Sequence, residues 1–148
     1  MPDQPPILSD RYGDKPEGRI AGIMRIVKTI AVVGASNKPE RPSYRALLLF
    51  ANHGFDVIAV NPGLAEKDIA GIEVVATLAD INRQVDMVDV FRASDALPAI
   101  VDEAIAIGAT VLWTQLGVAH DAAAKKADEA GMMVVVNRCP MIEFAGGF

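Results

Sequence analysis

With 148 residues, the chain has the length of one ordinary domain, and its single cysteine, Cys139, excludes an internal disulfide. Its 14 basic against 19 acidic side chains give a formal net charge of −5, which disfavours nucleic acid and anionic membranes as partners. Because the sequence has no basic-then-apolar leader and no long apolar stretch, we expect a protein of the reducing, cytoplasmic compartment that does not span a membrane.

The predicted elements alternate between helices and strands. Residues 1–16 carry four prolines and little periodicity, so we predict a tail there, followed by one domain over residues 17–148. Apolar residues at three- and four-residue intervals predict a first helix over Glu17–Lys28. Short apolar runs then predict strands at Thr29–Val33, Val57–Val60, Ile72–Val75, Met87–Phe91, Thr110–Trp113 and Met133–Val136. The intervening helices are predicted at Ser43–His53, Ser94–Ile107 and His120–Ala130, with a short turn at Leu78–Ile81.

Glycines at the ends of three helical segments indicate how these elements connect. Gly54, Gly108 and Gly131 each stand just before a strand, where glycine adopts the left-handed conformation without a Cβ penalty. The composition, 51% apolar but only 5% aromatic, suits a parallel sheet covered by helices. The sequence therefore predicts an α/β fold, a Rossmann-like doubly wound, mainly parallel sheet flanked by helices in a single domain.

The segment after the first strand is the leading candidate for a ligand site, because open doubly wound sheets bind ligands at the carboxyl ends of their strands. Gly34 is followed by Lys38, Arg41 and Arg45 against one acid, Glu40, a local charge of 3 − 1 = +2 in an acidic chain. A helix follows directly, and helix N-termini favour anions. A bulky side chain at position 34 is expected to block a phosphate. The plainer alternative is a polar surface loop with Ser43 as helix N-cap.

Two common nucleotide motifs are absent. The GxGxxG fingerprint fails because Ser36 and Pro39 stand at its second and third glycine positions, and no ribose-binding acid follows Val60 directly. No Gly-Lys-Ser/Thr follows Gly34 at the distance that a P-loop needs. An NAD(P)-binding oxidoreductase is therefore the weaker alternative.

Other strand ends supply further candidates. Asn61-Pro62 either contacts a ribose or only closes a turn. Phe91 is interpreted mainly as a core residue and Arg92 as a phosphate contact, while Gln115 and Gly117 follow the fifth strand with an amide and a backbone group.

The residues that resemble catalytic groups have structural explanations. His53 and His120 lie at helix ends, Cys139 precedes a proline and has no base near it in sequence, and no metal-ligand spacing is found. Asp86 and Asp89 lie three apart in a predicted strand and so point to opposite faces. We predict a binding protein without a catalytic or metal site of its own.

Seven segments then occur in a specific order: Ile30–Ser36, Arg41–Arg45, Val60–Pro62, Val88–Arg92, Ala104–Ala109, Trp113–Gly117 and Asn137–Pro140. Over about residues 27–143 they resemble the small stand-alone CoA-binding domain proteins, which are related to the CoA-binding domain of the succinyl-CoA synthetase α subunit. The resemblance implies that the Gly34 segment holds the pyrophosphate of coenzyme A, that Asn61 and Pro62 border its adenosine, and that the ends of the fourth and fifth strands line the rest of the cleft.

The resulting prediction is a CoA or acyl-CoA binding module. Its candidate ligand residues are Gly34, Ala35, Ser36, Lys38, Arg41, Ser43, Tyr44, Arg45, Asn61, Pro62, Phe91, Arg92, Gln115, Leu116 and Gly117. Leu64 stands where the synthetases have a lysine, with Lys67 nearby, so the contact to the 3′-phosphate stays open. A synthetase subunit whose catalytic parts lie on another chain is the remaining alternative. Both functions are compatible with a protein partner or with a homo-oligomer.

Overall fold

The computed structural model describes residues 16–65 and 67–140, with side chains from Ile20 onward. These residues form four α-helices and a seven-stranded sheet. The helices are α1 (Pro16–Ile26), α2 (Pro42–Asn52), α3 (Leu97–Ala106) and α4 (Asp121–Glu129). The strands are β1 (Thr29–Val33), β2 (Asp56–Val60), β3 (Asp68–Ile69), β4 (Ile72–Val75), β5 (Met87–Val90), β6 (Val111–Thr114) and β7 (Met133–Val135). The predicted tail lies outside the described residues except for Pro16, the first residue of α1.

The strand order of the sheet is β3-β4-β2-β1-β5-β6-β7. All neighbouring strands are parallel except β3 and β4, which form an antiparallel pair. The chain therefore starts in the middle of the sheet, extends to one side through β2 and β4, and returns to build the other side from β5. This order confirms the predicted Rossmann-like fold. The direction in which successive strands are added to the sheet reverses between β1 and β5.

Helices cover both faces of the sheet, which is why the central strands are apolar at consecutive positions. All five residues of β1 are buried. On one face Ile30 and Val32 pack in a cluster with residues of α1 and α2, including Ile23 and Phe50. On the other face, Ala31 and Val33 belong to a cluster that contains residues of α3 and α4.

Local chemistry at the helix ends agrees with the sequence. Gly54, Gly108 and Gly131 have φ of 90°, 76° and 95°, the left-handed conformation predicted for them. The helix predicted from Ser94 begins instead at Leu97 as an α-helix, after a 3-10 turn over Ser94–Ala96.

The short strand β3 was not predicted. Ala70 and Gly71 both have positive φ, 53° and 84°, and connect β3 to β4 as a tight hairpin turn. The Asp68 carboxylate accepts a hydrogen bond from the Gly71 N–H at 2.8 Å. A two-residue strand carries no periodicity, and alanine is an uncommon residue for a left-handed position, so no sequence pattern predicts this hairpin.

None of the helices in the described part of the chain is long and apolar enough to cross a lipid bilayer.

Candidate functional site

A cavity of about 650 Å³ opens at the carboxyl ends of the central parallel strands. It lies where the strand order reverses, the usual ligand position in an open α/β sheet. The residues that line it are Gly34, Ala35, Ser36, Asn37, Lys38, Arg41, Pro42, Ser43, Asn61, Gly63, Leu64, Phe91, Gln115, Leu116 and Val118.

Gly34 directly follows β1 in a left-handed conformation, with φ of 84°. A Cβ atom built on it would lie 3.0 Å from both the carbonyl carbon and the carbonyl oxygen of Phe91 and 2.9 Å from Cδ of Arg92. The Gly34 and Ala35 N–H groups both donate to the Val60 carbonyl oxygen, at 3.1 and 3.4 Å. A side chain at position 34 would therefore collide with the backbone that follows β5. That it would also block a phosphate stays a prediction.

The N-terminus of α2 faces the cavity, but its cap differs from the expected one. Arg41 is the N-cap residue with extended backbone, and Ser43 is the second helical residue, so the interpretation of Ser43 as N-cap is wrong. Pro42, which has no N–H, occupies the first helical position, as prolines often do. Ser43 is only 4% exposed, and no hydrogen bond of its hydroxyl is found within the described residues. The Tyr44 and Arg45 N–H groups already donate to the Arg41 carbonyl oxygen, at 3.1 and 3.3 Å. The N–H and the hydroxyl of Ser43 have no partner among the described residues, so they are the donors of this turn that can meet an anion.

Basic side chains give the cavity a positive character. Lys38 and Arg41 line it, and no acidic side chain does so among the described residues. Arg45 does not line the cavity; its guanidinium donates to the Glu40 carbonyl oxygen at 3.0 Å and so secures the loop before α2. The cavity thus differs in sign from the acidic chain as a whole.

Asn61 connects two walls of the cavity. Its Nδ2 donates to the Ala35 carbonyl oxygen at 2.7 Å, and its Oδ1 accepts from the Gly63 N–H at 2.8 Å. These bonds join the turn after β2 to the loop after β1. Both of these bonds go to backbone groups, as expected for a residue that shapes the turn, and a contact of Asn61 with a ribose stays a prediction.

The ends of β5 and β6 supply the opposite wall. Phe91 lines the cavity and also packs against the buried core, whereas Arg92 is exposed and does not line it. Gln115 and Leu116 line the cavity, and one atom of the former, Oε1, is buried without a hydrogen-bond partner among the described residues.

The sequence and the cavity agree only in part. Among the predicted ligand residues, the following do not line the cavity: Tyr44, Arg45, Pro62, Arg92 and Gly117. The lining residues that were not predicted are Asn37, Pro42, Gly63, Leu64 and Val118. Most of these stand directly beside predicted residues in sequence, and this neighbourhood is the one feature of the sequence that could have identified them. Lys67 is exposed and lies outside the lining.

The residues that resemble catalytic groups make structural contacts. Nδ1 of His53 lies 2.9 Å from the Leu49 carbonyl oxygen, and Nδ1 of His120 accepts from the Ala123 N–H at the start of α4. The Asp86 carboxylate, just before β5, accepts from the N–H groups of Lys28 and Thr29. No group of three potential metal ligands is found among the described residues.

Asp89 is different, because its carboxyl group lies in the core without a hydrogen-bond partner among the described residues. It is fully buried in β5, where its register neighbours are Val32 and Trp113. Burial raises the pKa of the Asp89 carboxyl well above its usual range.

Fold and cavity together define a Rossmann-like α/β domain with a basic cavity at the carboxyl ends of its strands. A family model described as "CoA binding domain" matches residues 28–145, and the chain belongs to this CoA-binding domain family. The resemblance stated from the sequence motifs is thereby confirmed.

Individual proteins resemble the chain in sequence or in fold. The chain is 33% identical over 129 residues to the uncharacterized protein YneT of Bacillus subtilis (strain 168), covering 87% of this chain and 94% of YneT. A hypothetical protein from Pyrococcus horikoshii OT3 has a similar structure, with a TM-score of 0.84, 36% identity and coverage of 95% and 96% of the two chains. The apo dinucleotide forming acetyl-coenzyme A synthetase 1 of Candidatus Korarchaeum cryptofilum shares the fold at 23% identity and a TM-score of 0.61, over 76% of this chain and 27% of the synthetase.

Proposed function

We propose that the chain binds coenzyme A or an acyl-CoA in this cavity and acts as a carrier, sensor or regulatory module in the cytoplasm. The observation that carries the proposal is the arrangement at the start of α2, where Lys38, Arg41 and the largely buried Ser43 line the same cavity. Membership of the CoA-binding domain family supports the choice of CoA among anionic nucleotides.

The pyrophosphate of CoA is assigned to the Ser36–Ser43 side of the cavity. Phosphates at helix N-termini gain from unpaired N–H groups and from the helix dipole, and the two cations add charge-assisted hydrogen bonds. The N–H groups of Gly34 and Ala35 are bonded to Val60, and the next groups along the chain that already have acceptors are those of Lys38, Arg41, Tyr44 and Arg45. We therefore assign the backbone contacts of the phosphates to the N–H groups of Ser36, Asn37 and Ser43, which have no acceptor among the described residues.

The rest of the ligand extends to both sides of this centre. We assign the adenosine to the wall formed by Asn61, Gly63 and Leu64, and the pantetheine arm to the wall formed by Phe91, Leu116 and Val118. With Leu64 in the lining and Lys67 outside it, the 3′-phosphate extends into solvent.

Titration calorimetry with CoA, dephospho-CoA and NAD tests this assignment at one ionic strength. We expect CoA to bind, and dephospho-CoA to bind within about threefold of CoA, a difference of about 0.65 kcal/mol. NAD should bind much more weakly, because none of the described residues places an acidic side chain in the cavity for a nicotinamide nucleotide's ribose. NAD binding as tight as CoA binding would overturn the proposal.

Arg41→Ala is the informative variant. A charge-assisted hydrogen bond contributes about 1.5–3 kcal/mol, so CoA affinity should fall roughly 10- to 100-fold, with a smaller loss at high salt. Arg25→Ala is the matched control, because Arg25 is an exposed arginine in the last turn of α1, near the amino end of β1 and away from the cavity. Equal affinities of the two variants would remove Arg41 from the site.

A further inference from the structure

The loop between β6 and α4, residues 115–120, is held in place from two distant parts of the chain. Oδ1 of Asn137, which follows β7, accepts a hydrogen bond from the Gly117 N–H at 2.7 Å. The Ser94 hydroxyl lies 3.3 Å from the Gly117 carbonyl oxygen, to which it donates, and Ser94 Oγ accepts from the Ala119 N–H at 2.9 Å. Both backbone groups of Gly117 are therefore fixed by side chains.

Asn137 is itself anchored under this loop. Its backbone N–H donates to the Thr114 hydroxyl oxygen at 2.9 Å, and that hydroxyl donates to the Val118 carbonyl oxygen at 2.7 Å. Thr114 is completely buried, so these bonds lie in a rigid part of the molecule. Asn137 also adopts a left-handed conformation, with φ of 62°, which asparagine tolerates better than most residues.

The side chains that this loop presents to the cavity are Gln115, Leu116 and Val118. Leu116 is one of the few large apolar side chains of the described chain that are strongly exposed, at 49%. An exposed leucine at a cavity edge costs solvation energy and becomes favourable when a ligand covers it. Since Gly117 lies between Leu116 and Val118, its two fixed backbone groups determine where both side chains stand.

We infer that Asn137 is a positioning residue for the pantetheine arm of the ligand. It acts through Gly117 and holds the apolar wall in the geometry that contacts the arm, without lining the cavity itself. This inference rests on the proposed function. It predicts that a change at Asn137 lowers the affinity for ligands that carry the pantetheine arm and leaves the affinity for ligands without it unchanged.

Asn137→Gly is the variant of choice, because glycine removes the amide acceptor and adopts φ of 62° without strain. Ala70→Gly is the matched control for added backbone freedom, since Ala70 is the other non-glycine residue with positive φ in the described chain and lies in the β3–β4 hairpin. Asn137→Asp keeps an oxygen acceptor for the Gly117 N–H.

The experiment compares CoA with adenosine 3′,5′-bisphosphate, which lacks the pantetheine arm, by titration calorimetry. Asn137→Gly should weaken CoA about five- to tenfold, the worth of one ordinary hydrogen bond, and leave the bisphosphate within about twofold of wild type. Asn137→Asp and Ala70→Gly should retain CoA affinity within about threefold. Amide hydrogen exchange at Gly117 should accelerate in Asn137→Gly alone, with or without ligand.

Equal weakening of both ligands in Asn137→Gly, or no weakening of either, would overturn the inference, as would an Asn137→Asp variant as weak as Asn137→Gly. If Asn137→Gly does not fold, Ser94→Ala replaces it, because it removes the other anchor of Gly117 and should give the same selectivity. Wild-type protein that binds the bisphosphate but gains nothing from the arm contradicts this inference alone, whereas wild type that binds neither ligand contradicts the proposed function as well.

Discussion

Asp89→Asn should change how the stability of the protein depends on pH. Asp89 is fully buried in the central strand β5, and neither carboxyl oxygen has a hydrogen-bond partner among the described residues. Desolvation raises the pKa of this carboxyl in the folded protein, so the folded state retains a proton that the unfolded state releases above a pKa of about 3.9. The folded state then binds more protons than the unfolded state, and its stability falls as the pH rises.

The magnitude follows from proton linkage. Between the unfolded and the folded pKa, one carboxyl costs up to about 1.4 kcal/mol of unfolding free energy for each pH unit. Below the unfolded-state pKa the carboxyl is protonated in both states, and the protein loses no stability through it. The loss of unfolding free energy grows as the pH rises and is complete once the pH has passed the folded-state pKa. Asparagine is close in size and does not titrate, so Asp89→Asn should gain stability relative to wild type as the pH rises from 4.5 to 6.5, by at most about 1.4 kcal/mol for each pH unit.

Urea denaturation of wild type and variant over this pH range measures the difference directly, and the contributions of all other groups cancel. Asp56→Asn provides a control of opposite sign. Hydrogen bonds from Arg83 lower the pKa of Asp56 despite some desolvation, so that carboxylate's contribution is lost as the pH falls. If the stability difference between wild type and Asp89→Asn stays constant with pH, the reasoning about an unpaired buried carboxyl is refuted.

Two further predictions concern the walls of the cavity. Gly34→Ala should destabilise the protein by about 1–3 kcal/mol more than Gly71→Ala, because both glycines have φ of 84° but only Gly34 has backbone atoms where a Cβ would stand. Thermal melts of the two variants test this, and equal melting temperatures would contradict the close approach to Phe91. Asn61→Ala should cost about 1–3 kcal/mol of stability by leaving the Ala35 carbonyl and the Gly63 N–H without their partner, and should also weaken CoA. A loss of CoA affinity without any change in urea midpoint would instead make Asn61 a direct ligand contact.

Regular parts of the fold could be predicted because their signals are local. Strands such as β1 are buried on both faces and read as continuous β-branched runs, and glycines such as Gly54 mark helix ends by a backbone requirement. The β3–β4 hairpin escaped prediction because its turn depends on Ala70 in an uncommon conformation and its first strand has only two residues.

The position of the site could also be predicted, since parallel strands bring their carboxyl ends to one edge of the sheet. The sequence could not predict which side chain at a strand end faces the cavity. Phe91 and Arg92 are neighbours that point to different sides, and the sequence does not specify the register that selects Phe91. The role of Asn137 depends on its hydrogen bond with Gly117, 20 positions away in sequence, and no local sequence pattern predicts such a contact.

The central claim is that CoA binds at the carboxyl ends of the central strands with its phosphates at the start of α2. Amide nitrogen–proton NMR spectra recorded during a titration with CoA test it most directly. The account predicts that shift changes concentrate in residues 36–43, 61–64 and 115–118, while the outer faces of α3 and α4 stay unchanged. No shift changes at saturating CoA, or changes centred on α3 and α4, would contradict it.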